Sequence, residues 1–378
     1  IIPHFQRFSE RIHAHGARLM CQITHLGRRA EPYAGHWLPA IGPSPVREPL
    51  HRAFPKEMDD HDIARVVRAF GTAARRCKEG GLDGLEVMTG PQILAQFLSS
   101  VTNRRTDRYG GSLENRTRFV LMVLEEIRKA VGDDFLVGIR LAIDEGEDGG
   151  ITAEEGIRIG QILERSGLID FVNALYGRTD TEYGMTVDGM PGMGFPLAPW
   201  LGSVAAFRRE VKLPIFHACR LADVATARHA IREGILDMAG MTRAHIADPH
   251  IVAKLSEGRE EDIRPCVGAT QCQTQYRPAC LHNPSTGRES VLPHVTPKAK
   301  TLRRVVVVGG GPGGMEAARV AAERGHGVTL LEAGSRLGGQ LLLGARTSWR
   351  KDLIGIVEWR ERQLGKLQVD VRCNCYAG

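Results

Sequence analysis

A glycine-rich turn late in the sequence carries the residue types and spacing that point most directly to chemistry. Gly309, Gly311 and Gly314 follow the apolar run 305–308, and Glu332 ends the next apolar run. Glycines let a backbone approach a pyrophosphate, a helix N-terminus stabilises its charge, and a carboxylate at the following strand end binds a ribose hydroxyl. The pattern predicts a dinucleotide site with 305–308 as a fully buried strand. The alternative is a vestigial unit that no longer binds a nucleotide.

A polar loop with three cysteines is the second candidate site. Cys266, Cys272 and Cys280 offer soft thiolate ligands that suit zinc or an iron–sulfur cluster. The usual two-residue spacing is absent, since Ala269 stands where a further ligand is expected. Metal binding and an empty thiol cluster therefore both stay open. No secretory pattern accompanies the cysteines, which argues against a disulfide scaffold. Buried, unreactive thiols are predicted for Cys21, Cys77 and Cys219.

Repeated strand and helix patterns must position these residues. Short apolar runs predict strands at 17–23, 84–88, 135–141, 170–175, 213–218 and 236–241. Helical periodicity lies between them at 60–79, 112–131, 153–166 and 222–233. Such βα units require parallel strands with right-handed crossovers, so the fold class is α/β. Both a (β/α)8 TIM barrel whose N-terminal units are missing from this chain and a doubly wound sheet produce this pattern.

The two ends of the sequence and one internal stretch indicate how the chain is organised. Ile2, Phe5, Phe8 and Ile12 recur at helical spacing and predict an amphipathic helix already under way at the first residue. The last residues stop just after a strand-like run, so we expect a fragment of a longer protein. Residues 285–303 are polar, contain prolines and show no apolar period, as expected of a linker.

Composition excludes several classes of protein. The net charge is +6, and basic residues are interspersed with acidic ones, so no nucleic-acid partner is expected. The hydrophobic fraction of 42% is that of a globular chain rather than a disordered one. No uncharged apolar stretch reaches about 18 residues, so no membrane span is expected. A cytoplasmic location is the expectation that follows.

Polar segments at the predicted strand ends resemble a known family. They read CQITHLGRRA (21–30), NRRTDRYGGSLENRTRF (103–119), VGIR (137–140) and GMTRAHIADP (240–249). Together they resemble the Old Yellow Enzyme-like flavin oxidoreductases, in the branch of trimethylamine dehydrogenase and 2,4-dienoyl-CoA reductase. The phrases REPLHRAFPKEM and RPCVGATQC look most like the dimethylglycine and N-methylproline demethylases of that branch.

The resemblance implies an order of domains and a set of cofactors. It implies a partial FMN-binding TIM barrel over 1–257, a cysteine-containing loop and linker over 258–303, and a partial Rossmann-like FAD/NAD(P)-binding domain over 304–378. The second nucleotide would be FAD or ADP, and the cysteine loop would hold a 4Fe-4S cluster if three thiolates suffice.

Flavin contacts are implied residue by residue. Gln22 would bind the pyrimidine edge of FMN, and Arg140 would lie beside N1 and O2, where a positive charge stabilises the reduced flavin. The FMN phosphate would be bound by residues that follow the last two predicted strands, namely Arg220, Gly240, Met241 and Arg243. Ordinary surface ion pairs are the alternative for the arginines.

Catalytic candidates are fewer. His25 lies near the flavin by resemblance, although a structural histidine is an equal alternative. Gln92 falls where a demethylase-like histidine is expected, and glutamine cannot act as an acid or base near neutral pH. Tyr176, beyond the fourth predicted strand, is a substitute polar group.

These observations favour oxidative N-demethylation of a small N-methylated amino acid of the dimethylglycine or N-methylproline type, by hydride transfer to flavin N5. An NAD(P)H-dependent enoate or 2,4-dienoyl-CoA-type reductase and an inactive flavin-binding remnant are the alternatives. Expected partners are a small-molecule substrate and an electron-transfer flavoprotein or other electron acceptor, with a homo-oligomer as a further expectation.

Overall fold

The computed structural model describes residues 1–30, 38–273 and 277–377. The chain divides into two compact units. The first unit comprises Ile1–Met190, Trp200–Cys219 and Ala227–Gly240, and the second comprises Pro191–Pro199, Arg220–Thr226 and Met241–Gly378.

The strands and helices follow the predicted alternation. The strands are β1 Met20–Ile23, β2 Ile41–Gly42, β3 Lys56–Glu57, β4 Gly84–Met88, β5 Leu136–Asp144, β6 Phe171–Tyr176, β7 Ile215–Ala218, β8 Met238–Gly240, β9 Arg304–Val308, β10 Gly327–Leu331 and β11 Asp370–Arg372. The helices are α1 Ile2–His13, α2 Asp60–Glu79, α3 Ile93–Leu98, α4 Leu113–Val131, α5 Ala153–Ser166, α6 Glu182–Gly184, α7 Leu201–Glu210, α8 Val224–Arg232, α9 Thr242–Ala247, α10 Ile251–Ser256, α11 Pro312–Glu323, α12 Gln340–Gly344 and α13 Ile354–Lys366.

The main sheet of the first unit is parallel throughout, in the order β1-β4-β5-β6-β7-β8. This order follows the chain and never reverses. A doubly wound sheet must reverse at its switch point, whereas a barrel adds each strand beside the previous one. The prediction of an α/β fold is confirmed, and the strand order decides between the two alternatives in favour of a curled half-barrel sheet.

Side-chain caps determine where the long helices begin. The side chains of Asp59, Ser112 and Thr152 each accept a hydrogen bond from the backbone N–H three residues further on, at the start of α2, α4 and α5. Such bonds satisfy N–H groups that a helix leaves unpaired at its first turn. These caps explain why the predicted helix boundaries agree with the structure to within about two residues.

The two faces of the main sheet differ in character. In β4, Leu85 and Val87 are completely buried, while the alternating residues Glu86 and Met88 are half-buried on the opposite face. Because successive strand residues point to opposite faces, one face packs as a core and the other carries polar side chains. That second face holds the candidate site.

The second unit contains a three-stranded parallel sheet in the order β11-β10-β9. Met315, Leu330 and Val357 form its core with the inward residues of β9. The prediction that 305–308 is fully buried is wrong, because Val306 and Val308 are 62% and 66% exposed. Helices α11 and α13 pack against one face of this sheet, and the exposed Val306 and Val308 lie on the other.

No helix among the described residues is both long enough and apolar enough to cross a lipid bilayer.

We expect Gly156→Ala in α5 to lower the free energy of unfolding by about 1–3 kcal/mol, as overpacking does. An added Cβ would lie 1.9 Å from the carbonyl oxygen of Ile143. Gly202→Ala in α7 is the matched control, since a Cβ there meets no atom within 4 Å. Its better helix propensity should add about 0.5–1 kcal/mol. Urea unfolding measures both, and equal stability of the two variants would contradict the packing argument.

Candidate active site

A row of polar side chains crosses the open face of the main sheet. Gln22 on β1 donates its Nε2 to Glu86 Oε1 at 2.6 Å, and Asn173 on β6 donates its Nδ2 to Glu86 Oε2 at 2.7 Å. Gly138 on β5, which is the register partner of Glu86, has no side chain between them. The carboxylate on β4 therefore links amides from two other strands, and each of its oxygens accepts one hydrogen bond.

Arg140 lies on the same face and is the register partner of Asn173. It is half-buried, and its Nε is buried without a hydrogen-bond partner among the described residues. An unpaired buried donor is costly unless a bound group accepts from it. A flavin carbonyl or ring nitrogen beside Arg140 fits this open donor, so the residues present are compatible with FMN.

An aromatic pair with two carboxylates lies at the end of β6. The rings of Tyr176 and Trp200 stack with centroids 3.8 Å apart, and Trp200 Nε1 donates to the carbonyl oxygen of Asp188 at 2.9 Å. Asp144 is the register partner of Tyr176. Burial raises the pKa of Asp188. The pKa of Tyr176 is raised by burial and then by the two negative carboxylates, so the phenol stays protonated near neutral pH.

Asp188 packs against the backbone at Gly177, where the chain leaves β6 with φ of 83°. An added Cβ at this glycine would lie 2.2 Å from the Cβ of Asp188. Glycine is therefore required at this position for two reasons: its backbone has a positive φ, and a side chain would collide with Asp188.

Two predicted catalytic residues lie apart from this pair. The ring of His25 accepts a hydrogen bond from the backbone N–H of Gly27 at 3.0 Å, and burial, with Arg65, lowers its pKa. Gln92 precedes α3, and its Oε1 is buried without a partner among the described residues. Within the described chain, no hydrogen bond between side chains joins His25, Gln92 and Tyr176.

A buried ion pair holds the loops around the site. Arg28, in the loop that follows β1, is 2% exposed and contacts Asp180 at 2.5 Å. Arg178 binds the same carboxylate at 2.8 Å. Asp180 lies in the loop that follows β6. The ion pair therefore connects this loop to the loop that follows β1.

Sequence reasoning missed four of these residues. Glu86, Asp180, Asp188 and Trp200 acquire their roles only through partners distant in the chain. His217 on β7 was also missed: its Nδ1 contacts the Ala174 carbonyl oxygen at 2.8 Å, and burial lowers its pKa to about 4. A polar residue inside an apolar strand was the one available signal for Glu86 and His217.

The remaining residues predicted to bind FMN lie at later strand ends. In the first unit, Gly240 ends β8. In the second unit, Arg220 has φ of 49°, and its Nε donates to the Phe195 carbonyl at 2.9 Å while its Nη2 binds Asp352 at 2.6 Å. Arg243 donates to the Pro191 carbonyl at 2.9 Å, two residues after Met241. Arg220 is thus largely engaged by its own chain.

The glycine-rich turn of the second unit has the geometry of a nucleotide cradle. Added Cβ atoms at Gly309 and Gly311 would meet nothing within 4 Å, whereas one at Gly314 would lie 1.9 Å from the Gly309 carbonyl oxygen. Glu332 accepts hydrogen bonds from the backbone N–H groups of Gly310 and Gly334, both at 2.6 Å. The open turn, the close helix packing and the adjacent carboxylate fit a dinucleotide.

The three loop cysteines line one small cavity together with Arg243 and His282. Burial raises the pKa of Cys266 and of Cys272. Within 1–30, 38–273 and 277–377, however, no group of three or more His, Cys, Asp or Glu side chains is placed to bind a metal ion. The side chains as placed do not fit a cluster, and no reaction step is assigned to one.

Comparison with known proteins places this architecture. The model of the NADH:flavin oxidoreductase / NADH oxidase family matches residues 1–262, and that of the FAD dependent oxidoreductases matches residues 304–363. The fold and the first match define the class of flavin-dependent oxidoreductases built on a TIM barrel, with FMN as the flavin. The chain belongs to the NADH:flavin oxidoreductase / NADH oxidase family.

Individual relatives span reduction and demethylation. The chain is 57% identical over 377 residues to the multifunctional alkene reductase/demethylase OYE of Caballeronia cordobensis, and 48% identical over 381 residues to a probable N-methylproline demethylase of Rhizobium meliloti. Each alignment covers 100% of this chain, but only 55% and 56% of the relatives. The structure of a 2-naphthoyl-CoA reductase matches with a TM-score of 0.90 at 32% identity, covering 100% of this chain and 59% of that one.

We expect Asp180→Asn to lower the free energy of unfolding of the first unit by about 3–5 kcal/mol, because it leaves the buried Arg28 without its carboxylate. Glu79→Gln is the matched control, because the Arg75–Glu79 pair on α2 is about half exposed and should change stability little. Urea unfolding followed by circular dichroism measures both. Equal midpoints would show that the buried pair does not hold the loops.

Proposed function

We propose that this chain forms the substrate- and FMN-binding part of an oxidoreductase that removes an N-methyl group from a small N-methylated amino acid. The observation that carries the proposal is the stacked pair of Tyr176 and Trp200 beside Asp144 and Asp188. Aromatic faces and carboxylates together attract alkylammonium groups through cation–π and Coulomb interactions. A neutral alkene or acyl-CoA substrate would gain nothing from the two carboxylates.

The residue at Gln92 supports the same reaction. Reduction of an alkene requires a proton donor after hydride transfer, and an amide cannot supply one. Oxidation of an amine does not need a donor there: once the bound ammonium has released its proton to water, the freed nitrogen lone pair assists departure of the hydride. When bound, FMN supplies the two-electron acceptor for that hydride. Water then hydrolyses the oxidised N-methyl carbon to formaldehyde, and the amine retains the nitrogen electron pair.

The chain's own side chains have distinct tasks in this proposal. Arg140 supplies a fixed positive charge and an open Nε donor beside the flavin, and Gln22 binds its pyrimidine edge. Tyr176, which stays protonated, orients the substrate as a hydrogen-bond donor. Arg220, Gly240, Met241 and Arg243 would bind the FMN phosphate. The role of His25 is to hold its loop through Gly27.

The remaining assignments concern electron transfer. We propose that the glycine-rich turn and Glu332 hold FAD or ADP, and that electrons leave to an electron-transfer flavoprotein or a similar carrier. The proposed boundaries are 1–257 for the barrel, 258–303 for the loop and linker, and 304–378 for the dinucleotide domain.

Alkene reduction with NAD(P)H is the second candidate function. It is favoured by one observation, the protonated phenol of Tyr176, which is a chemically competent proton donor. The Caballeronia relative is named for both activities. Substrate kinetics of an Asp188 variant separate the two candidates.

We expect Asp188→Asn to raise KM for an N-methylated amino acid about tenfold, the effect of losing roughly 1.4 kcal/mol of attraction for the cation. KM for a neutral alkene and the FMN content should not change. The exposed Asp148→Asn is the matched control, because it removes the same charge from a solvent-facing loop position. An unchanged amine KM would overturn the role of the carboxylates.

The amine affinity should also depend on pH with a defined sign. Asp188 attracts the cation only when ionised, and its pKa lies above the ordinary value because of burial. KM should therefore rise on acidification, starting at a higher pH than an exposed aspartate would cause. In the Asp188→Asn variant, KM should not show this rise on acidification. If KM rose in the same way in the wild type and in the variant, the titrating group would be a residue other than Asp188.

A further inference from the structure

The two ends of the Gln22 side-chain amide are chemically different, and the structure distinguishes them. The NH2 end donates to Glu86 Oε1 at 2.6 Å. Gln22 Oε1 has no hydrogen-bond partner among the described residues, and the side chain is exposed on the open face of the sheet. An amide in this orientation turns its carbonyl oxygen away from Glu86, so the group that binds there meets an acceptor at that end, and one N–H of the amino group stays bonded to Glu86.

Glu86 is the residue that determines this orientation. Its second oxygen accepts from Asn173 Nδ2 at 2.7 Å, so the carboxylate is held from both sides by amide donors. A carboxylate can only accept. If the Gln22 amide turned over, its carbonyl oxygen would face the Glu86 oxygen, and two acceptors would oppose each other without a proton.

We infer that Glu86 is a positioning residue that makes Gln22 present its carbonyl oxygen to an N–H group on the pyrimidine ring of the bound flavin. This inference rests on the proposed binding of FMN at Gln22. The pyrimidine ring of a flavin has one N–H, at N3, between two carbonyl groups. An acceptor at Gln22 therefore selects N3–H, while the open Nε of Arg140 complements a carbonyl or ring nitrogen.

The inference is tested by comparing FMN with 3-methyl-FMN, in which a methyl group replaces the N3 proton. The deflavinated protein is titrated with each compound, and quenching of flavin fluorescence gives the two Kd values. We expect wild type to bind FMN at least about tenfold more tightly than 3-methyl-FMN, the factor that one lost hydrogen bond produces.

Substitutions then separate positioning from a general structural role. Glu86→Gln, which can donate as well as accept, should let the Gln22 amide adopt both orientations and reduce the FMN preference several-fold. Gln22→Ala should reduce it further and covers the case in which the Glu86 variant fails to fold. Glu125→Gln on the exposed face of α4 is the matched control and should keep the wild-type ratio.

Each outcome has a defined meaning. A wild-type protein that binds both flavins equally, or a folded Glu86→Gln that keeps the full preference, overturns the positioning role while FMN binding stands. A protein that binds neither flavin overturns the proposed function as well.

Discussion

The all-parallel, sequential order of the main sheet is the constraint on which the candidate site depends. Parallel strands must all end at the same edge, so each βα unit delivers its strand-end residues to one place. Asp144 ends β5 and Tyr176 ends β6, and the two are register partners although helix α5 separates them in the chain. The order of the strands thus brings the side chains of the site together. The connections between the βα units need only keep neighbouring strands adjacent.

Bringing these side chains together removes charged groups from water, which costs free energy. Hydrogen bonds and ion pairs within the chain compensate for most of this loss. Asp180 binds Arg28 and Arg178 in the loops, although Arg28 Nε has no partner among the described residues, and Glu86 accepts from two amides. Arg140 is the exception on the polar face, because its buried Nε lacks a partner among the described residues. On this face Arg140 Nε and Gln22 Oε1 are the polar atoms without a partner among the described residues, and a bound group can complete the network there.

The sequence allowed the strands and helices to be predicted closely, because apolar period and helix caps are local properties. Gly132 and Gly167, for example, lie just beyond the ends of α4 and α5, with φ of 72° and 66°. The exposure of Val306 and Val308 was not predicted, since burial of a strand depends on what covers it. The assignments of Gln22, Arg140 and the other site residues remain proposals that rest on resemblance and on compatible geometry.

The site contacts that could not be predicted from the sequence are those between residues far apart in the chain. The engagement of Arg220 by Asp352 joins residues far apart in the chain, and no spacing rule reveals it. The same applies to Asp188, whose role follows from its packing against Gly177 and from Trp200. Ala269 was visible as a departure in the cysteine loop, and the structure adds that the described side chains are not placed to bind a metal.

The most direct test of amine oxidation is the visible spectrum of the flavin-loaded protein under exclusion of oxygen. Dimethylglycine or N-methylproline should bleach the flavin band and release one formaldehyde for each flavin reduced. If neither amine changes the band while NAD(P)H bleaches it and an activated alkene restores it, the demethylation account is wrong and the chain serves an alkene reductase.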